Sequence, residues 1–239
     1  MDNRLKEIVE TFDQMKIGID EPFQFHCTMC GKCCINRDDI LLNPRDIYNM
    51  AKELNQIPAE FFAQYCETYL GQDSRFPLVR LLPRGSIQRC PLLKDHKCSV
   101  HKVKPTVCAL FPIGRCIMID KKRKDGSLTT DDISYLFINP SCGDQSETHT
   151  VREWLNNFGI PLNDSYFLAW QELFMNLSSM FRKAEKKIHP DLMEQLWRFT
   201  FVRLYLEYDM KMEFMPQFEE NAQALIRLMK EIPIKGKRK

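Results

Sequence analysis

Residues 27–34 read Cys27-Thr28-Met29-Cys30-Gly31-Lys32-Cys33-Cys34, a C-x-x-C-G-x-C-C pattern with four thiols in eight residues. Packing of a soluble core does not require such a pattern. A thiolate is the form that binds metal, and several thiolates buried together without a cation would carry a prohibitive desolvation cost. C-x-x-C lets two sulfurs of one tight turn reach the same ion. Gly31 suits the sharp turn that follows Cys30. The adjacent Cys33 and Cys34 are expected to diverge, so that one is a spare or the two face different metals or different atoms of a cluster.

A second set of thiols lies far along the chain, 55 intervening residues after Cys34. It comprises Cys90 before Pro91, Cys98 before Ser99-Val100-His101, and Cys108 between Pro105 and Pro112. Cys142 follows, between Ser141 and Gly143. Two of the ten cysteines read differently. Cys66 is expected on the core face of a helix as a small buried hydrophobe. Cys116, in the apolar run Cys116-Ile117-Met118-Ile119, reads as core with a reserve role as ligand. That leaves eight candidate ligands: Cys27, Cys30, Cys33, Cys34, Cys90, Cys98, Cys108 and Cys142. His26 and His101 border them, and with so many thiols at hand histidine ligation is the weaker reading. Lys32, Arg37, Arg89, Lys94, Lys97, Lys102 and Lys104 are threaded through the same stretches. Cations there would offset the negative charge of a thiolate centre, although each alone also reads as an ordinary surface residue.

Hydrophobic periodicity gives the frame. Leu5, Ile8, Val9, Phe12 and Met15 make a lead-in helix over residues 2–16, and Phe23 and Phe25 should pack beneath the cysteine loop. Ile40-Leu41-Leu42 is a short strand. Asn43 then caps a helix with Pro44 at its first position. Ile47, Ala51 and Leu54 mark its buried side. A further helix starts at Pro58 and carries Phe61, Phe62, Tyr65, Cys66 and Tyr69. Residues 76–93 read as extended, and residues 113–138 as a β-hairpin or small sheet with a charged tip at 121–126. No cysteine follows Cys142. Helices are expected over about 148–158 and 163–185. Another should start at Pro190, with Leu192, Leu196, Phe199, Val202 and Leu206 on its buried face. A last one carries Phe218, Ala222, Leu225, Met229 and Ile232. The expected fold class is α+β, mainly α: an irregular, metal-stapled, cysteine-rich core with a small hairpin or sheet, then a bundle-like helical half. The composition change puts the domain boundary at 147, giving a cysteine-cluster domain over 1–147 and a helical region over 148–239 packed on it.

Composition excludes several classes. Hydrophobic residues make up 44% and charged residues 28% of the chain, so it is not disordered. No apolar run is long enough to span a bilayer, and the charged start MDNRLKEIVE lacks the apolar segment of a signal peptide. A cytoplasmic location is expected, where cysteines persist as free thiols or metal ligands rather than disulfides. A net charge of +2 argues against a nucleic-acid partner, and the basic residues 235–239 read as a solvated end. The helical half could engage a protein partner.

The knuckle, the Cys90-Pro91-Leu92 and Cys98-Ser99-Val100-His101 segments, and Lys104-Pro105-x-x-Cys108-x-x-Phe111-Pro112 together resemble the YkgJ-type cysteine-cluster family of zinc- or iron-chelating domains. The resemblance covers about residues 23–145. Residue by residue, it carries the family cysteines onto the same eight positions and leaves Cys66 and Cys116 as extras. His101 stands where many members have tyrosine. The implied function is a metal-binding protein that holds an iron–sulfur cluster or zinc through eight cysteines, in a structural or redox role. Scattered ligands, an adjacent pair and the absence of a second C-x-x-C favour iron–sulfur over zinc. The family also includes relatives of flagellin lysine N-methyltransferases associated with an iron–sulfur cluster, so the alternative is an enzyme of that kind. No Gly-rich strand-to-helix fingerprint and no C-x3-C-x2-C signature supports it here. No catalytic or substrate-binding residues emerge.

Overall fold

The computed structural model describes residues 11–119 and 127–232. The charged tip at 121–126, the basic residues 235–239 and most of the lead-in helix lie outside the described residues; residues 11–15 are helical. The fold is mainly helical α+β, with several small antiparallel sheets. The chain divides into two compact units, each made from separated stretches. One holds the residues up to Arg37 together with Pro83–Leu168; the other holds Asp38–Leu82 together with the residues from Ala169 on. This division cuts the chain at other places than the composition change at 147.

The first unit carries all eight candidate ligands. Its three-stranded sheet sets Ile133–Phe137 between Lys16–Ile17 and Ile113–Ile117. A separate ribbon pairs Pro22–His26 with Asp144–Thr150. Successive side chains of a strand point to opposite faces, so Phe23 and Phe25 are buried while Pro22 and Gln24 are exposed. Both rings meet the edge of Trp154, with centroids 5.9 and 5.7 Å away. Trp154 sits on the helix Val151–Asn157, and its indole N–H donates to the Leu110 carbonyl at 3.0 Å. Thr150 and Glu153 start that helix with reciprocal bonds: the Glu153 N–H donates to the Thr150 hydroxyl, and the Thr150 N–H donates to the Glu153 carboxylate. Ile17, Leu110, Ile113, Tyr135 and Leu155 complete the core around them. At its edge a buried Arg115–Asp164 ion pair, 3.3 Å apart, lies under the Phe167 ring.

The second unit is built from helices and one sheet. Asn43 caps Pro44–Glu53 through a capping box with Asp46, as its sequence anticipates. Pro58–Tyr65 follows. The strand Pro77–Leu81 lies between Leu41–Leu42 and Cys66–Leu70. The helices Pro190–Phe201 and Phe214–Glu231 bury Met193, Leu196, Phe218 and Leu225. Phe76 is fully buried, with ring centroids of Trp170, Phe174 and Phe181 at 5.9, 5.0 and 6.2 Å. Val202–Leu206 forms a π-turn, whose geometry frees backbone carbonyls from the helical ladder. The buried Asn221 amide answers this by donating to the carbonyls of Arg203 and Glu207.

Three expectations are corrected. The helix from Pro58 ends at Tyr65, and Cys66 opens a strand, because Thr68 and Tyr69 pair with the extended Pro77–Leu81 segment. Cys66 is buried as anticipated, but Tyr69 is exposed. The Pro190 helix presents Met193, Leu196 and Thr200 inward, while Leu192 and Phe199 are exposed, so the buried stripe is rotated by about one residue. Residues 148–150, expected to be helical, belong to the Asp144–Thr150 strand, since pairing with Pro22–His26 holds them extended until Thr150 caps the helix.

Candidate metal centre

Local backbone geometry brings the first four thiols together. Gly31 adopts φ 71°, in the left-handed region open to glycine, and starts the 3₁₀ turn Lys32–Cys34. The Cys34 N–H donates back to the Gly31 carbonyl at 2.9 Å. That tight turn holds the sulfurs of Cys33 and Cys34 3.9 Å apart, so the adjacent pair does not diverge as its sequence suggested. A tetrahedral thiolate site with metal–sulfur bonds of about 2.3 Å has edges of about 3.8 Å. The sulfurs of this pair are therefore about as close as neighbouring thiolates of a metal centre.

The remote thiols reach the knuckle by four routes. Cys90 is anchored by its N–H, which donates to the Cys34 carbonyl at 2.8 Å. Cys98 comes back through the short hairpin of Leu93–Lys94 and Lys97–Cys98, where it pairs with Leu93. Cys108 lies on the helix Thr106–Leu110. Cys142 arrives through the ribbon, whose register sets Asp144 opposite His26 and so brings Cys142 and Gly143 beside Cys27. A Cβ on Gly143 would stand 2.4 Å from the His26 carbonyl, so the close approach needs glycine, which also supplies its φ of +75°.

Each thiol has others within electrostatic range. Cys142 senses Cys33, Cys30 and Cys27. Cys34 senses Cys33, Cys90 and Cys98, and Cys108 senses Cys34 and Cys33. The structure thus gathers all eight candidates and leaves Cys66 in the other unit. Cys116 sits apart with its sulfur against the Ser134 carbonyl. The gathered thiols do not close on one point: among the described residues, no three His, Cys, Asp or Glu side chains stand at metal-ligating spacing.

The surroundings favour thiolate at some positions and oppose it at others. The Lys32 N–H is the strongest influence holding Cys30 below the usual thiol range; the Gly143 N–H and the Thr28 side chain add to it. Cys90 is lowered by its bond to Cys34 and by the Leu92 N–H. Burial raises Cys98, against the pull of the Val100 N–H. Three cysteines thus receive an N–H from the residue two positions on, an arrangement that stabilises a thiolate. Burial drives Cys108 well up, and the bond to Cys34 does the same for Cys33. Arg37 and Lys104 pull both down. A metal bound there would supply the positive charge that the raised thiols lack.

A pocket of about 200 Å³ opens on the cluster. Cys27, Cys30, Cys33, Cys108 and Cys142 line it together with Phe25, Phe111, Trp154 and Phe158. The Lys104 ammonium stands 4.2 Å from the Phe158 ring centroid. His101 faces that ring at 6.5 Å, and burial together with Lys104 lowers its pKa. His26 turns to Asp144 and Glu147, at 3.3 and 3.7 Å. Sequence reasoning missed the aromatic wall from Phe111, Trp154 and Phe158, because helical spacing alone assigns those rings to core. It also missed the Asp144–Thr150 strand. Its β-tolerant Thr148, His149 and Thr150 were the available signal.

Residues 26–133 match the model of the CxxCxxCC family, described as a "putative zinc- or iron-chelating domain". The matched segment spans less than half of the chain and includes seven of the eight gathered cysteines; Cys142 lies beyond it. No curated protein and no solved structure matches the chain significantly. The domain match and the gathered thiols agree on a zinc- or iron-chelating cysteine cluster.

Proposed function

We propose that this protein binds metal through Cys27, Cys30, Cys33, Cys34, Cys90, Cys98, Cys108 and Cys142, as an iron–sulfur centre in preference to zinc, and that the centre has a structural or redox role. One observation carries the reading: thiols from four separated stretches meet around the Lys32–Cys34 turn, while Cys66 and Cys116 stay away. The preference for iron–sulfur rests on the scattered ligands, on N–H groups directed at sulfur, and on Arg37 and Lys104 near the thiols, all of which tune cluster potential. The YkgJ-type assignment, a cytoplasmic setting and a protein partner for the helical unit belong to the same reading.

Anaerobically prepared protein is expected to be brown, with iron and sulfide in stoichiometric amounts. Colourless protein holding stoichiometric zinc would overturn the iron–sulfur preference and keep the metal site. Folded protein that carries no metal, and takes up none, would overturn both.

A further inference from the structure

We infer that the eight thiols form two four-thiolate stations that meet at the adjacent Cys33 and Cys34: Cys27, Cys30, Cys33 and Cys142 at the pocket, and Cys34, Cys90, Cys98 and Cys108 as the second set. This rests on the reading that these thiols bind metal, and assigns each to one of two ions or clusters.

Geometry supports the division. Cys27, Cys30, Cys33 and Cys142 all line the pocket, whereas Cys34, Cys90 and Cys98 do not. The ribbon register sets Cys142 beside Cys27, and the Gly143 N–H reaches the Cys30 sulfur. On the other side, the Cys90 N–H binds the Cys34 carbonyl, and the Leu93 N–H binds the Cys90 carbonyl while Leu93 pairs with Cys98. Cys108 also lines the pocket, but among the thiols Cys34 acts on it most strongly. Cys33 is also within range of Cys98 and Cys108, as expected of a thiol where the two stations meet. A run of closely spaced cysteines can serve two centres: in two-cluster ferredoxins three cysteines at x-x spacing hold one cluster and the fourth ligates the other. Cys27, Cys30 and Cys33 have that x-x spacing, and Cys34 is the fourth.

The stations differ in access. Cys27 and Cys30 are exposed, and their station opens on the pocket. Cys33 and Cys142 are half-buried, as are Cys34, Cys90, Cys98 and Cys108, and of the second set Cys108 alone lines the pocket. A closed four-thiolate site is structural, whereas a site reached from solvent exchanges its metal or accepts an outside ligand. The pocket station is therefore the exchangeable one, and the second station is the staple.

The test uses metal-loaded, full-length protein challenged anaerobically with a chelator, with released metal followed in time and freed thiols trapped by alkylation and mapped by mass spectrometry. Half of the metal should leave in a fast phase with labelling of Cys27, Cys30, Cys33 and Cys142. The other half should leave at least tenfold more slowly, with labelling of Cys34, Cys90, Cys98 and Cys108. Release in one phase with all eight thiols labelled together would overturn the two stations, as would a fast phase that labels members of both sets. Protein that never held metal would overturn the underlying reading as well. As a second arm, folded Cys30→Ser protein should keep half of the metal; loss of all of it would contradict the division.

Discussion

Helices of eight or more residues, three of them begun by Pro44, Pro58 and Pro190, make up most of the unit formed by Asp38–Leu82 and the residues from Ala169 on. In the cysteine-bearing unit, by contrast, the loops around the thiols hold two three-residue 3₁₀ turns, a hairpin of two-residue strands and a five-residue helix. Met29, Asn36, Gln88, Asp95 and His96 all sit at positive φ in those loops. The left-handed region costs a non-glycine residue about 1 kcal/mol. The backbone bonds in these loops mostly close single turns and do not form a long ladder. Short loops of this kind persist when something outside the backbone over-determines them. Here the candidates are the aromatic core beneath them and metal bonds between distant segments, whose binding energy is also folding energy. One unit is ordered throughout by its backbone and apolar faces, while in the other the loops around the thiols would lean on the proposed metal bonds as well as on the core.

Removing the metal should break this contrast most strongly. With chelator, hydrogen exchange is expected to accelerate across residues 27–36 and 84–108 and to stay slow in Pro190–Phe201 and Phe214–Glu231. Equal loss of protection in both would refute the contrast. Phe76→Ala should do the reverse, costing about 3–5 kcal/mol of stability in denaturant titration with metal content per folded chain unchanged. Gly143→Ala strikes the cysteine-bearing unit, because its Cβ meets the His26 carbonyl at a φ reserved for glycine. It should lower metal content and destabilise by more than about 1 kcal/mol.

A fourth expectation concerns pH in the metal-free protein. The bond to Cys33 lowers Cys34, but the bond to Cys90, burial and the neighbouring thiols outweigh it and push Cys34 up from 9.0 to about 11. A raised pKa means the fold prefers the protonated form. Its contribution is full below pH 9.0 and disappears as pH rises through about 11. Denaturation midpoints of metal-free protein should therefore fall across that window, and metal-loaded protein should not show the fall. The smallest effect belongs to Thr150→Ala, which removes one cap at a cost of about 1 kcal/mol, read as a shifted midpoint, and leaves metal content intact.

The helical unit was legible wherever local chemistry decides structure. Asn43 and Pro44 announce their helix, and the Phe218, Leu225 and Met229 spacing announces another. The eight thiols stand out by residue type. What stayed hidden is set at long range. The ribbon that carries Cys142 to Cys27 depends on pairing between strands more than a hundred residues apart, and neither strand advertises its partner. Cys66 opens a strand because of its hairpin partner, although its own neighbours read as helical. The approach of Cys33 and Cys34 comes from the 3₁₀ turn after Gly31, which spacing alone does not reveal.

The most direct measurement is the metal content of anaerobically prepared wild-type protein beside a Cys66→Ser/Cys116→Ser double variant. If the gathered thiols are the ligands, both proteins carry the same metal in the same amount. Wild-type protein that is folded yet metal-free, or a folded double variant that has lost its metal, would contradict the assignment.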